Sequence, residues 1–247
     1  MAIADKKSDH VDMVIVGAGF AGMYMLYGAR ENGLSVRCFE AGDGVGGTWY
    51  WNRYPGAQCD IESYSYLPLL EETGYVPKLR YSYASEIYEH AQRIGKHFDL
   101  YKDAVFQTWV TELRWLEDES LWLVTTNRGD AMRARHICLG TGPANRPRLP
   151  GIPGVEQFKG HSFHTCRWDY DYTGGGPTGN LTGLADKTVA IIGTGATAVQ
   201  CVPAERCSLT QPENAAGDSE KALLVAVLPH CRADLSHPVM TPVVTVS

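Results

Sequence analysis

The chain has 247 residues, 44% of them hydrophobic and 20% charged, with a formal net charge of −6. That length can bury a substantial core in one large domain or two small ones, and the composition is that of an ordinary globular protein. There is no basic stripe to mark a nucleic-acid footprint, no apolar run long enough to cross a membrane, and no apolar signal core in residues 1–12.

Residues 12–16 read as a buried parallel strand. Residues 20–32 read as a helix, with Ala21, Met25 and Ala29 recurring at fourfold spacing and Gly33 ending it. Residues 35–39 form a second strand that runs into Glu40, which completes a strand–turn–helix–strand unit. Residues 42–75 are rich in glycine and aromatics, the mark of a functional loop rather than a disordered one. Residues 85–98 have the pattern of an amphipathic helix, with Ile87, Ala91, Ile94 and Phe98 on one face and Ser85 able to cap it. Residues 105–115, 121–126 and 131–139 alternate in polarity. They are expected to form an antiparallel meander inserted into the parallel fold, turning at Arg128-Gly129-Asp130. The basic group Arg133, Arg135 and His136 reads as a solvated strand end.

A proline-rich connector over residues 145–153 carries the expected domain boundary, and Gly174-Gly175-Gly176-Pro177 reads as a flexible surface insertion. Residues 187–192 open a second strand–helix unit, whose helix starts at Ala196 and is expected to be cut early by Pro203. Residues 222–228 are the candidate returning strand, and residues 229–247, with three prolines, show no clear element. The fold class is α/β. A Rossmann-type domain with an inserted meander occupies residues 1–150, a linker 151–186, and a partial second Rossmann-type domain 187–247.

Chemistry concentrates in the two glycine turns. In Gly17-Ala18-Gly19-Phe20-Ala21-Gly22, Gly17 allows the tight turn, Gly19 lets a pyrophosphate approach the backbone, and Gly22 lets helix and strand pack closely. The helix N-terminus at Phe20 and Ala21 presents free N–H groups and a positive dipole end to phosphates. Glu40, at the end of the next strand, is placed to accept hydrogen bonds from a ribose, which leaves NAD and FAD both open. Gly193-Thr194-Gly195-Ala196-Thr197-Ala198 repeats the pattern, and two dinucleotide sites in one chain point to electrons passed between cofactors.

Seven cysteines without a Cys-x-x-Cys pair argue against a disulfide scaffold and for a reducing compartment, the cytoplasm. The spacings of Cys201, Cys207, His230, Cys231 and His237 match no common zinc module, so no metal is expected.

Gly47-Thr48-Trp49-Tyr50-Trp51-Asn52-Arg53-Tyr54-Pro55-Gly56, followed by Asp60, resembles the flavin-contacting segment of Baeyer–Villiger monooxygenases. Phe158-x-Gly160-x-x-x-His164-x-x-x-Trp168-Asp169 resembles that family's linker motif at every fixed position, and Gly140-Thr141-Gly142 its glycine segment near the flavin. The likeness runs from about residue 12 to about residue 203.

The resemblance implies an enzyme that takes FAD and NADPH and inserts one oxygen atom of O2 beside the carbonyl of a small organic ketone. It implies FAD contacts at Gly17, Gly19, Phe20, Ala21, Gly22, Glu40, Gly47, Thr48, Trp49, Asp60, Tyr66, Val105, Thr141 and Gly142, and NADPH contacts at residues 193–198. Asp60 and Arg53 become the candidate catalytic pair, with Asp60 supporting a cationic partner. His164 becomes a linker residue that couples domain motion to cofactor binding.

After about Ala204 the sequence departs from the family pattern, and the family's catalytic arginine has no counterpart here. The chain therefore reads as truncated within its NADPH domain, with a partner chain or a homo-oligomer to complete it. Two alternatives stand beside the ketone reading. One is a catalytically incompetent FAD-binding fragment or accessory subunit. The other is a related monooxygenase oxidising nitrogen, sulfur or carbon.

Overall fold

The computed structural model describes residues 10–142, 147, 153–193, 195–209, 223–226 and 243–246, the residues from 205 onward by backbone alone. The chain divides into two compact units. One comprises residues up to Tyr50, Tyr64–Val76 and Tyr88–Gly142, and the other Trp51–Ser63, Pro77–Ile87 and the residues from Pro143.

The first unit begins with strand β1 (His10–Val16), helix α1 (Phe20–Glu31) and strand β2 (Val36–Phe39). Short helices α2 (Thr48–Trp51), α3 (Ser63–Tyr66) and α4 (Leu70–Thr73) punctuate the aromatic segment. Helix α5 (Ala84–His97) follows, then strands β3 (Ala104–Val105), β4 (Val110–Leu116), β5 (Leu121–Thr126) and β6 (Ala131–Leu139). These strands form one sheet in the order β3-β2-β1-β6-β5-β4. β1 lies parallel to β2 on one side and to β6 on the other. The antiparallel meander β4-β5-β6 is inserted as expected, and its last strand, β6, joins the parallel sheet beside β1.

β1 is buried on both faces because its side chains alternate. Ile15 packs with Met23, Leu26 and Ala29 of α1 and with Ala91 and Ile94 of α5. Val14 packs on the opposite face with Phe39, Val124 and Ala134. Ile87, Ala91 and Ile94 of α5 are fully buried, as their spacing predicts.

Two local expectations are corrected here. In α1 the buried residues are Gly22, Met23, Leu26 and Ala29, while Ala21 and Met25 are exposed. A fourfold spacing drifts by about 40° per step on a helix of 3.6 residues per turn, so it does not follow one face. α5 begins at Ala84, whose N–H donates to the Ala57 carbonyl at 2.8 Å, and Ser85 sits inside the first turn instead of capping it.

The second unit holds a four-stranded sheet in the order β7-β10-β8-β9. Its elements are β7 (His161–His164), α6 (Tyr170–Thr173), β8 (Val189–Ile192), α7 (Ala196–Leu209), β9 (Leu223–Ala226) and β10 (Val243–Val246). The returning strand lies parallel to β8 as its position predicts. Pro203 does not cut α7, which runs on for 14 residues. Pro203 and Val199, whose carbonyl faces its ring, are both exposed, so water can satisfy the group that loses its partner.

β10 also corrects the reading of residues 229–247. The β-branched run Val243-Val244-Thr245-Val246 forms a strand between β7 and β8, antiparallel to both, and the three prolines lie before it. Residues 174–179 close as a turn, with Gly176 and Gly179 exchanging backbone hydrogen bonds of 2.9 and 2.8 Å.

Candidate functional site

The first glycine turn lies at the carboxyl ends of β1, β2 and β6, where the sheet order reverses; open α/β sheets bind ligands at that place. Gly17 donates to the Phe39 carbonyl at 2.8 Å, and Gly140 to the Val16 carbonyl at 2.8 Å. Gly17 has φ +100°, and a side chain there would meet the Gly140 oxygen at 2.6 Å. Gly19 differs. Its nearest neighbour would be the Gly47 Cα at 3.5 Å, an ordinary contact, and its φ is −72°. The fold therefore demands a glycine at 17 and admits a Cβ at 19. Gly47 approaches the same turn, since a Cβ on it would lie 2.7 Å from the Gly19 Cα. Phe20 and Ala21 open the first turn of α1, whose N–H groups have no intrahelical acceptor.

Glu40 is buried and binds the turn directly. Its Oε2 accepts from the Ala18 N–H at 2.6 Å, and its Oε1 accepts from the Gly42 N–H at 2.7 Å. Its backbone N–H donates to the Val105 carbonyl at 2.9 Å, which ties β3 to the site edge. Trp49 Nε1 donates to the Tyr66 hydroxyl at 2.8 Å, and the Tyr66 ring meets Phe20 edge-on with centroids 5.9 Å apart. Thr48, Thr141 and Gly142 are exposed nearby in sequence to these groups. All these residues fall in the first unit; Arg53, Asp60, the linker motif and residues 193–198 fall in the second.

In the second unit Arg53 and Asp60 are exposed, on the loop that follows α2. Three neighbours hold this loop. The Arg167 guanidinium stacks over the Trp51 ring at 4.1 Å, and the Tyr170 hydroxyl donates to the Arg53 carbonyl at 2.5 Å. The Tyr54 hydroxyl donates to Gln200 Oε1 at 2.7 Å. Burial pushes the Tyr54 hydroxyl up to about 12, so it remains a donor at neutral pH. Sequence reasoning missed Tyr54, Arg167 and Gln200. Tyr54 lies inside the motif of residues 47–56 without a role assigned to it, Arg167 at a variable position of the linker motif, and Gln200 outside both.

The linker motif folds into a knot of its own. His164 is buried, and its Nδ1 accepts from the Cys166 N–H at 3.2 Å. Burial, aided by the Arg167 charge, holds its pKa below the usual histidine value. Trp168 Nε1 donates to Thr173 Oγ1 at 3.0 Å, and its ring meets Phe163 edge-on. Asp169 caps α6 by accepting from the Tyr172 N–H at 3.0 Å, and it pairs with His161 Nε2 at 2.9 Å. Those bonds, the Tyr172 N–H first, hold its carboxyl below the usual range. Phe158 is exposed and Gly160 half-buried.

At the second glycine turn, Gly193 follows β8, and a Cβ on Gly195 would meet nothing within 4 Å among the described residues. As at Gly19, packing does not explain this glycine. Ala198 is buried, and Ala196 and Thr197 open α7. Thr194 and the side chains of Cys207, His230, Cys231 and His237 lie outside the described residues.

Comparison with known proteins decides among the dinucleotide folds. A family model described as pyridine nucleotide-disulphide oxidoreductase matches residues 11–211. The chain belongs to that family. Within it, the chain is 54% identical over 220 residues to pentalenolactone D synthase of Streptomyces exfoliatus, covering 85% of this chain and 37% of that protein. It is 55% identical over 202 residues to a Baeyer–Villiger monooxygenase of Streptomyces coelicolor, covering 81% of this chain and 34% of that one.

Among solved structures, it resembles the polycyclic ketone monooxygenase of the fungus Thermothelomyces thermophila, with 44% identity and a TM-score of 0.72 over 82% of this chain and 34% of that one. It also resembles OTEMO in complex with FAD and NADP, with 35% identity and a TM-score of 0.73 over 89% of this chain and 39% of that one. The resemblance to Baeyer–Villiger monooxygenases seen in the motifs therefore holds across the matched region. The chain spans a little over a third of the length of these relatives. No helix among the described residues is long and apolar enough to cross a membrane.

Proposed function

We propose that this chain forms the FAD-binding part and the opening of the NADPH-binding part of a Baeyer–Villiger monooxygenase, one that inserts an oxygen atom of O2 beside the carbonyl of a small organic ketone. The observation that carries this reading is the 54% identity to a named synthase over 220 residues and 55% to a named Baeyer–Villiger monooxygenase over 202. The geometry supports it, because Gly19 and Gly195 are bare for no reason internal to the fold.

In this reading residues 1–150 hold FAD. Gly17, Gly19 and Gly22 shape the turn, α1 points its N–H groups at the pyrophosphate, and the remaining lone pairs of Glu40 face the ribose. Gly47, Thr48, Trp49, Tyr66, Val105, Thr141 and Gly142 line the rest of the cofactor. Residues 151–186 form the linker, and residues 187–247 belong to the NADPH domain, with the nucleotide at residues 193–198. When bound, the two cofactors supply hydride transfer and oxygen activation, while the protein orients them and limits water. Asp60 and Arg53 are the charged pair we assign to the reacting end. Cysteines that form no disulfide among the described residues support a reducing compartment, the cytoplasm.

A visible spectrum of the purified protein tests the first half. Flavin absorbance is expected, and Gly19→Trp should abolish it by filling the approach to the backbone. Anaerobic titration with NADPH should then bleach the flavin. A folded, colourless protein that takes up no added FAD would overturn the reading. Conversion of a cyclic ketone to a lactone, assayed by mass spectrometry, separates ketone oxygenation from nitrogen or sulfur oxidation.

A further inference from the structure

We propose that Gln200 is a positioning residue that couples nucleotide occupancy of the second glycine turn to the placement of the loop carrying Arg53 and Asp60. The inference rests on reading residues 193–198 as a dinucleotide turn. α7 begins at Ala196 inside that turn, and Gln200 lies one turn along the helix.

The Gln200 side-chain amide makes three bonds to the loop. Oε1 accepts from the Tyr54 hydroxyl at 2.7 Å and from the Gln58 N–H at 3.3 Å, and Nε2 donates to the Gln58 carbonyl at 2.8 Å. The Gln58 backbone fixes the amide orientation, since the reversed one would set the amide NH2 against the Gln58 N–H and its oxygen against the Gln58 carbonyl.

The backbone leaves no slack between helix and loop. Gly56, at φ +76°, presses on the helix so closely that a Cβ on it would lie 2.6 Å from the Gln200 carbonyl oxygen. Gly56 in turn donates to the Pro177 carbonyl at 3.1 Å, and Tyr170 holds the Arg53 carbonyl. A phosphate drawn to the N-terminus of α7 acts on a rigid helix, and close-packed contacts transmit sub-ångström shifts instead of absorbing them. The Tyr54–Gln200–Gln58 triad is the path by which such a shift reaches the residues on either side, Arg53 and Asp60.

The test is amide hydrogen exchange with and without saturating NADP+. In the parent chain NADP+ should slow exchange at residues 197–199, which report occupancy, and at Gln58, which reports the loop, the latter by about tenfold, the scale of one net hydrogen bond. In Gln200→Leu the helix amides should respond as before while Gln58 changes by less than about twofold. Gln200→Glu keeps both bonds accepted by Oε1 but turns its second oxygen toward the Gln58 carbonyl, so it should restore the response at Gln58 only in part. Tyr54→Phe, which removes one of the three bonds, should give an intermediate response and guards against misfolding of the leucine variant. An unchanged Gln58 response in Gln200→Leu, or a parent in which the helix amides respond and Gln58 does not, overturns the proposal. Silence at residues 197–199 in the parent would instead overturn the nucleotide reading on which it stands.

Discussion

Gly22 and Gly17 meet so closely that a Cβ on Gly22 would sit 1.8 Å from the Gly17 carbonyl oxygen. The third glycine of the first turn is therefore a packing requirement between α1 and the end of β1. Gly28, on the same helix, faces open space, with nothing within 4 Å of an added Cβ. Gly22→Ala should destabilise the protein by about 2–3 kcal/mol or prevent folding, because the backbone must move to admit it. Gly28→Ala should stabilise it by about 0.5–1 kcal/mol through helix propensity alone. Urea unfolding of the two variants checks the contrast, and equal midpoints would refute it.

Glu40 divides its two oxygens between the Ala18 and Gly42 N–H groups. Glu40→Gln leaves one acceptor for two buried donors and turns an NH2 group toward the other. A loss of about 1–3 kcal/mol is expected in the same unfolding experiment, together with weaker flavin retention. Unchanged stability would show that the turn relaxes to satisfy both N–H groups in another way.

Burial raises the Tyr54 hydroxyl from its ordinary 10.0 to about 12 and the Cys38 thiol from 9.0 to about 12. Each holds its proton more tightly in the folded state than in the unfolded chain. Their contribution is complete below pH 9 and is lost as pH rises toward 12, beginning with Cys38 near 9 and joined by Tyr54 near 10. For Tyr54 the loss amounts to about 2–3 kcal/mol across that interval. Thermal melts between pH 8 and 11 should show a falling midpoint, and Tyr54→Phe should flatten the part above pH 10. A level profile in the parent would contradict this.

His164 behaves in the opposite sense. Burial and the Arg167 charge lower its pKa from 6.5, so its contribution is present above that value and is lost as pH falls below it. Its Nδ1 accepts from the Cys166 N–H, and a proton there would break that bond. The imidazole resonances should titrate with a midpoint under 6.5, and Arg167→Leu should move the midpoint upward. A midpoint at or above 6.5 in the parent would remove the basis for a neutral, packed His164.

The periodic and punctuated parts of this protein are legible in its local sequence patterns. β1 and β8 are short apolar runs followed by glycine turns, β2 runs into Glu40, α5 has a regular buried face at Ile87, Ala91 and Ile94, and Gly129 turns β5 into β6. Those features depend on neighbours a few residues apart, which pattern and turn chemistry record. Only the tertiary structure decided which glycines serve packing, as Gly17 and Gly22 do, and which stay bare without an internal reason, as Gly19 and Gly195 do, because that depends on atoms brought in from Gly140 or absent altogether. It likewise decided the face of α1, the passage of α7 through Pro203, and the pairing of β6 with β1 and of β10 with β7 and β8. The bond from Tyr54 to Gln200 spans 146 residues of sequence. No local pattern encodes such a contact, since it exists only once the loop and the helix have packed.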